Sequence, residues 1–136
     1  MQRIFLDANV LFSAAYLPES GLLELWRLPK AQQVQLVSSL YAVEEARRNL
    51  AGLEQQERLE ALLSKMQTSE TQVVESIEPS APIPIELPLK DRPILSSAIA
   101  VKATHLLTGD FKHFGAYYGQ SIQGVLILPP AAYLQQ

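Results

Sequence analysis

Short apolar runs that favour β-strands alternate along this chain with stretches of helical periodicity. Residues 3–6, 34–39 and 104–109 are runs of the first kind, and helix-like segments separate them. Strands that alternate with helices form a parallel sheet whose two faces are covered by helices. We therefore expect an α/β fold: a three-layer sandwich with a central parallel β-sheet flanked by helices. Ligands of such sheets bind beyond the carboxyl ends of the strands.

Apolar periodicity, capping residues and prolines predict the remaining elements. The predicted helices cover residues 9–16, 21–28, 40–50, 54–66 and 91–103, with a terminal helical turn at 129–134. Two further strands are predicted at 71–76 and 121–128. Ser20 is the expected cap of the second helix, and Pro29 is its expected end. Four prolines between residues 77 and 89 indicate an extended loop that is too short to separate two domains.

The composition is typical of one globular domain. A chain of 136 residues, 48% hydrophobic and 18% charged, can bury a core, so we expect a single domain over residues 1–136. The absence of cysteine excludes disulfides and thiolate metal sites. No apolar run approaches the roughly 20 residues that span a bilayer, and the start MQRIFLDANV lacks signal-peptide features. We expect no membrane association and a cytoplasmic location.

The net charge of −3 bears on nucleic-acid binding. Proteins that coat nucleic acid neutralise many phosphates with Lys and Arg, so the acidic balance argues weakly against that class. It remains compatible with an enzyme that touches only a few phosphates. An acidic site that recruits divalent cations would lower the net charge, as would ordinary surface acids.

All three aspartates lie at junctions between predicted elements. Asp7 follows the first strand, Asp91 opens a helix, and Asp110 follows the strand at 104–109. In a parallel sheet, Asp7 and Asp110 lie at the carboxyl edge, and a simple helix–strand hairpin brings Asp91 there too. Short carboxylates are ligands of hard cations. Asp is also a frequent helix N-cap, which explains any one position alone but not their convergence on one edge.

Three segments of the chain resemble the motifs of the PIN-domain family. LDANVLFSA at 6–14 is similar to the opening motif, in which an apolar strand precedes Asp, one residue, Asn and a helix start. VSSLYAVEEARRNL at 37–50 resembles the second, where a serine after a strand precedes a helix with an acidic residue. KDRPILSSAIAVKATHLLTGD at 90–110 resembles the third, which ends in Thr-Gly-Asp. Together the motifs cover nearly the whole chain in the expected order.

The resemblance implies a metal-dependent endoribonuclease that cleaves RNA phosphodiester bonds with Mg²⁺ or Mn²⁺. It gives catalytic and metal-binding roles to Asp7, Glu45, Asp91 and Asp110, with Glu44 as the competitor of Glu45. Such carboxylates repel one another unless a cation compensates, and that cation lowers the pKa of its water. The implied partners are an RNA substrate, a small antitoxin protein if the chain is the toxin of a toxin–antitoxin pair, and a second copy in a homodimer. A free-standing RNA-processing nuclease is equally compatible.

The chain departs from the family pattern in three places. Asn9 stands where some relatives carry a further acid, residues 90–92 lack extra acids, and no acid follows Asp110 within 111–114. A site with fewer auxiliary carboxylates would hold its metal less tightly, or hold one ion where relatives hold two.

Polar residues near these acids are candidates for substrate binding or for orienting the acids. They are Asn9, Ser13, Lys90, Arg92, Thr108 and His113. Ser and Thr at such positions are more often partners of the local backbone. Basic residues could guide the phosphate backbone past the metal or form local ion pairs, and Arg48 has the helical spacing to pair with Glu44 or Glu45. His105 is expected in the core. The aromatic residues at 111–118 could stack on bases or close the core.

Three other classes of protein compete with the nuclease interpretation. DANVL at 7–11 is one residue from the Asp-x-Asp pattern of haloacid-dehalogenase-like phosphatases, but the second Asp is missing. A receiver domain would need an acidic pair before its phosphoacceptor and a late lysine, and neither is present. A PIN-like module that binds RNA or protein without cutting is the third alternative, and substitution of Asp7 would separate it from an enzyme.

Overall fold

Six strands form one sheet in the computed structural model, which describes residues 2–28, 33–68, 73–74 and 83–135. They are β1 (Gln2–Leu6), β2 (Val34–Ser39), β3 (Val73–Val74), β4 (His105–Leu107), β5 (Ser121–Ile122) and β6 (Val125–Leu128). The order across the sheet is β3-β2-β1-β4-β6-β5. Every neighbouring pair is parallel except β5 and β6. The expected parallel sheet is confirmed, with one antiparallel strand added at its edge.

Helices connect these strands. They are α1 (Ala8–Tyr16), α2 (Leu40–Asn49), α3 (Leu53–Thr68), α4 (Arg92–Ala100), α5 (Phe111–Phe114) and α6 (Pro130–Leu134). Ser39 caps α2, because its hydroxyl accepts a hydrogen bond from the backbone N–H of Ala42 at 3.2 Å. Within the described ranges, no helix combines the length and the apolar character needed to cross a bilayer.

Helices cover both faces of the sheet, as expected for a three-layer sandwich. Successive side chains of a strand point to opposite faces. Ile4 and Leu6 accordingly pack with α1, α2 and α3, whereas Phe5 packs with α4 and α5. All three side chains are fully buried. The continuous apolar run of β1 is therefore the signature of a central strand that is buried on both faces.

Several predicted elements differ from the structure in type or extent, and the strand predicted at 104–109 covers only His105–Leu107. The predicted helix at 21–28 is wrong in type, since Pro18–Ser20 and Leu22–Arg27 form 3-10 helices. Gly21 between them has φ +89°, which breaks the helical path before a regular α-helix can begin. The predicted helix at 91–103 ends at Ala100, and Lys102 turns the chain with φ 58°.

The predicted strand at 121–128 is two strands, β5 and β6, joined by a tight turn. Gln123 and Gly124 both have positive φ, at 49° and 88°. Two such residues suit the hairpin turn whose twist matches that of the strands. Of the predicted strand at 71–76, only β3 is described, and residues 77–82 of the predicted loop at 77–89 lie outside the described residues, as does Pro29.

The strand register determines where the functional site lies. Leu6 is opposite Leu107 in the pairing of β1 with β4. Asp7 and Thr108, the next residues on the two strands, therefore leave the sheet side by side. The Ser38 hydroxyl of β2 donates to the backbone oxygen of Leu6 at 2.7 Å and supports the same edge from the other side.

Candidate active site

Asp7 occupies the single position between β1 and α1, and its residue surface is only 4% exposed. One carboxylate oxygen accepts a hydrogen bond from the backbone N–H of Ala8 at 2.6 Å. The other accepts hydrogen bonds from the Thr108 hydroxyl at 2.8 Å and from the Asn9 amide at 3.2 Å. These bonds fix the orientation of a carboxylate that is held in the protein interior.

Asn9 and Thr108 join the two chain segments that carry Asp7 and Asp110. The side-chain oxygen of Asn9 accepts from the backbone N–H of Gly109 at 2.6 Å. The Thr108 hydroxyl accepts from the backbone N–H of Asp110 at 3.1 Å. A Cβ at position 109 would lie only 3.3 Å from the Asn9 oxygen, so glycine allows this close approach. The network places the two aspartates relative to each other.

Asp91, Asp110 and His113 form a second group at the same edge. Nδ1 of His113 lies 2.8 Å from Oδ2 of Asp110 and 3.0 Å from Oδ2 of Asp91. Asp110 also accepts from the backbone N–H of His113 at 3.2 Å, as the cap of α5. Each of the three residues offers a ligand atom, and these atoms lie within 4.8 Å of one another.

Capping does not account for the side chain of Asp91. The residue holds the N-cap position of α4, but its carboxylate makes no capping hydrogen bond. Its Oδ2 atom is buried and makes no hydrogen bond to any described residue, although it lies close to His113 Nδ1. A proton on Nδ1 would be donated well to one acceptor only, and Asp110 Oδ2 is the nearer of the two carboxylate oxygens. The Asp91 oxygen is thus a buried acceptor that makes no hydrogen bond to a described residue and has His113 Nδ1 beside it.

Burial and like charges destabilise the ionised forms of two aspartates. The pKa of Asp7 is raised from 3.8 to about 6, chiefly by burial and in smaller part by the charges of Glu45 and Asp91, while the hydrogen bonds from Thr108 and Ala8 oppose the rise. Burial also raises the pKa of Asp91, with a further contribution from the charge of Asp110. The four acids thus lie within one another's electrostatic field.

The structure distinguishes Glu44 from Glu45 by their surroundings. Glu45 is half-buried on α2, and its charge raises the pKa of Asp7. Glu44 is exposed and lies 3.7 Å from the guanidinium of Arg47. Of the two, Glu45 therefore faces the other acids, and Glu44 faces a surface cation.

The model of the PIN-domain family, described as "PIN domain", matches residues 3–112. The chain belongs to the PIN-domain family. Members of this family are typically nucleases. No curated protein shows significant similarity to this PIN domain.

Two solved structures share its fold. VapBC2 from Rickettsia felis, bound to a DNA fragment from its promoter, matches with a TM-score of 0.62 and 16% identity, over 94% of this chain and 98% of that one. FitAB bound to the IR36 DNA fragment matches with a TM-score of 0.59 and 22% identity, over 93% and 94% of the two chains. At these identities the likeness concerns the fold.

The donor set of this PIN domain fits a divalent cation. Carboxylate oxygens are preferred by Mg²⁺ and Mn²⁺, and an imidazole nitrogen is acceptable to Mn²⁺. The unpartnered Oδ2 of Asp91 supplies a buried oxygen with unused acceptor capacity. A cation among these groups would relieve the repulsion that raises the pKa of Asp7 and of Asp91.

The other residues that were predicted to bind substrate, to orient the acids or to form ion pairs differ in exposure and in their contacts. Lys90 is exposed, and its charge lowers the pKa of Asp91 against the effect of burial. Arg92 is half-buried, and its Nε makes no hydrogen bond to a described residue. Ser13 lies in the middle of α1, and no described hydrogen bond joins its hydroxyl to the acids. Among the described ion pairs, Arg47 contacts Glu44 and Glu60, and the predicted pairing of Arg48 is not found.

Two tyrosines flank the acids, and their placement was not predicted. The Tyr41 hydroxyl donates to the backbone oxygen of Lys90 at 2.6 Å, and the Tyr118 hydroxyl donates to that of Thr108 at 2.7 Å. Burial raises the pKa of both, with further contributions from Glu45 at Tyr41 and from Asp110 at Tyr118. The i, i+4 spacing to Glu45 is the sequence signal at Tyr41, but Tyr41 is also an i, i+3 neighbour of Glu44, so the spacing alone does not place it at the site.

Proposed function

We propose that this PIN domain is a metal-dependent endoribonuclease that acts as one domain over residues 1–136 and cleaves RNA phosphodiester bonds. Asp7, Glu45, Asp91 and Asp110 would hold Mg²⁺ or Mn²⁺ and carry the chemistry. The observation that supports the proposal most strongly is the buried carboxylate of Asp7, whose pKa is about 6, at the end of the central strand. Electrostatic repulsion among carboxylates that are buried close together lowers the stability of the fold, and a bound divalent cation compensates for this repulsion.

The chemistry divides between the cation and the residues around it. A bound cation would supply hydroxide near neutral pH and stabilise charge on the phosphate. Thr108 and Asn9 hold Asp7 in one orientation. We assign to Glu45, which is half-buried on α2, the acceptance of the proton from the attacking water.

Basic residues beside the acids suit the phosphate backbone of the substrate. Lys90 and Arg92 flank Asp91 in sequence; Lys90 is exposed and Arg92 is half-buried, with its Nε atom inside the protein. Contacts of this kind position a nucleic acid but carry no sequence information. They are therefore proposed to hold RNA against the acids, whatever its sequence.

We further propose that the chain is the toxin of a toxin–antitoxin pair, with a small antitoxin protein and a second copy of itself as partners. The support is the match of fold to VapBC2 and FitAB over nearly the full length of each chain. Such a toxin would act in the cytoplasm, where its RNA substrates are.

The decisive experiment compares the wild type with Asp7→Asn. Metal binding and cleavage of a panel of structured and unstructured RNAs would be measured with Mn²⁺ and with Mg²⁺, and folding would be checked by circular dichroism. We expect metal-dependent cleavage by the wild type and a loss of about 100-fold or more in the variant, because a charge that holds the cation is removed.

Other outcomes would point to other functions. Absence of metal binding by the folded wild type would overturn the acidic-site hypothesis. RNA binding without cleavage, equal in both proteins, would favour a non-catalytic PIN module. A phosphatase of the haloacid-dehalogenase type has lost its support, since the family match covers residues 3–112 and Asn9 replaces the second Asp of that motif.

A further inference from the structure

His113 is the one non-acidic side chain in the group that could hold a metal ion among the described residues. It lies on α5, three residues after Asp110, so the first turn of that helix brings its ring over the Asp110 carboxylate. The ring is about four-fifths buried, since its side chain is 20% exposed. Its Nδ1 atom faces Asp110 and Asp91 at once.

We infer that His113 is itself a ligand of the metal ion through Nδ1, and that this nitrogen makes the site selective for Mn²⁺ over Mg²⁺. The inference rests on the proposed metal-dependent function and specifies which ion serves it. Mg²⁺ binds almost only oxygen ligands. Mn²⁺ also prefers oxygen, but as a transition metal it accepts an imidazole nitrogen more readily than Mg²⁺ does. An all-carboxylate site would lack this discrimination.

The distances among the three residues fit neighbouring ligands of one ion. Metal–ligand bonds of about 2.1–2.2 Å at right angles place adjacent donor atoms about 3 Å apart. Nδ1 of His113 lies 2.8 Å from Asp110 Oδ2 and 3.0 Å from Asp91 Oδ2. Hydrogen bonds have similar lengths, so the distances alone allow both arrangements.

The buried Oδ2 of Asp91 favours metal ligation over a purely hydrogen-bonded role for His113. If the histidine served only as a donor, its one Nδ1–H group would leave Asp91 Oδ2 without a partner, as is found here. A cation among the three atoms would satisfy both carboxylates together. Neutral imidazole binds metals through either ring nitrogen, and with Nδ1 as the ligand its proton lies on Nε2.

His105, the only other histidine of the chain, is an internal control. It lies at the opposite end of β4, where its Nδ1 is 2.9 Å from the Thr104 hydroxyl and its ring packs against the edge of Tyr133. No acid belongs to its described contacts. A nitrogen hyperfine coupling to bound Mn²⁺ can therefore be assigned to one of the two histidines by comparing His113→Asn with His105→Asn.

The test uses Mn²⁺ as the probe, with electron paramagnetic resonance as the readout. We would measure Mn²⁺ affinity, Mg²⁺ affinity by competition, and the nitrogen hyperfine coupling to bound Mn²⁺, in the wild type, His113→Asn and His105→Asn. The asparagine at 113 keeps a hydrogen-bond donor close to the position of Nδ1 but offers no nitrogen ligand. Wild type labelled with ¹⁵N-histidine gives the coupling without any substitution.

We expect a histidine nitrogen coupling in the wild type that changes with ¹⁵N labelling and disappears in His113→Asn. Mn²⁺ affinity should fall by about tenfold or more, since removal of groups that merely orient metal ligands already costs roughly 10–100-fold. Mg²⁺ affinity should change far less, and His105→Asn should match the wild type in both.

Bound Mn²⁺ without a histidine nitrogen coupling in the wild type would overturn the inference and leave the nuclease proposal intact. Equal losses of Mn²⁺ and Mg²⁺ affinity in His113→Asn would also overturn it, since that pattern indicates a positioning role. If the folded wild type bound neither ion, the proposed function would fail together with this inference.

Discussion

Polar groups are paired with one another at the amino ends of the central strands β1 and β4, whereas mutually repelling acids lie at the carboxyl ends. At the amino ends, Arg3 and Thr104 bond each other twice, through the backbone of Arg3 and the Thr104 hydroxyl, both at 3.0 Å. The Arg3 guanidinium also donates to Gln35 and to the backbone of Val101. At the carboxyl ends, acids gather within one another's field, and a buried oxygen of Asp91 has no described hydrogen-bond partner.

The amino edge of the sheet is therefore suited to stabilise the fold, and the carboxyl edge is suited to bind a ligand. Paired donors and acceptors stabilise a fold, whereas buried like charges destabilise it unless a ligand compensates. The acids at the carboxyl edge therefore destabilise the metal-free fold, and a bound cation would remove this destabilisation.

The largest effect is expected from Glu45→Gln, compared with Glu44→Gln. The half-buried Glu45 faces the other acids, so its variant should lose about 100-fold or more in RNA cleavage, in line with the usual contribution of a general base. Exposed Glu44 pairs only with surface Arg47 among the described ion pairs, and its variant should stay within about twofold, because such pairs contribute little. Cleavage would be measured at saturating Mn²⁺ after equal folding is verified. Equal losses in both variants would contradict the assignment.

Which of the adjacent residues Glu44 and Glu45 faces the other acids could not be predicted from the sequence. Neighbouring residues on a helix point about 100° apart, so one of the two must face away, but the rotation of α2 depends on its tertiary packing. Tyr41 does not decide between them, because it is three residues before Glu44 and four before Glu45, and both spacings make neighbours on a helix. The convergence of Asp7 and Asp110, in contrast, followed from the sequence, because parallel strands end at the same edge.

Local backbone conformation limited the prediction of the fold. The apolar runs of β1, β2 and β4 are visible in the sequence because buried strands need them. The turn at Gln123–Gly124 was missed because it splits an apolar run only by its positive φ angles. Likewise, no sequence pattern reveals that Nδ1 of His113 lies between two carboxylates, since that depends on the position of α5 relative to α4.

A smaller effect is expected in the pH dependence of stability without metal. The pKa of Asp7 is about 6 in the folded protein and 3.8 ordinarily, so protonation favours folding. Its stabilising contribution is complete below pH 3.8 and is lost as the pH rises through 6. A shift of this size corresponds to about 3 kcal/mol over the full range, of which about 1–2 kcal/mol would be lost between pH 5 and 7.5.

Urea unfolding in the presence of a chelator would measure this loss in the wild type and in Asp7→Asn. The free energy of unfolding of the wild type, relative to that of Asp7→Asn, should be larger at pH 5 than at pH 7.5. Saturating Mn²⁺ should abolish this difference, since a bound cation competes with the proton. A wild type that is relatively more stable at pH 7.5 without metal would contradict the burial of an uncompensated charge.

An effect of similar size is expected from the two threonines that flank β4. Thr104→Val removes hydroxyl bonds to Arg3 at the amino edge, and Thr108→Val removes the bond to Asp7 at the carboxyl edge. Both should destabilise the metal-free protein by about 1–2 kcal/mol, because each leaves backbone or side-chain groups without a partner. Only Thr108→Val should weaken Mn²⁺ binding, by roughly tenfold, since only that hydroxyl orients an acid of the proposed site. Equal Mn²⁺ affinities in the two variants, measured by titration at one pH, would mean that the carboxyl edge is as structural as the amino edge.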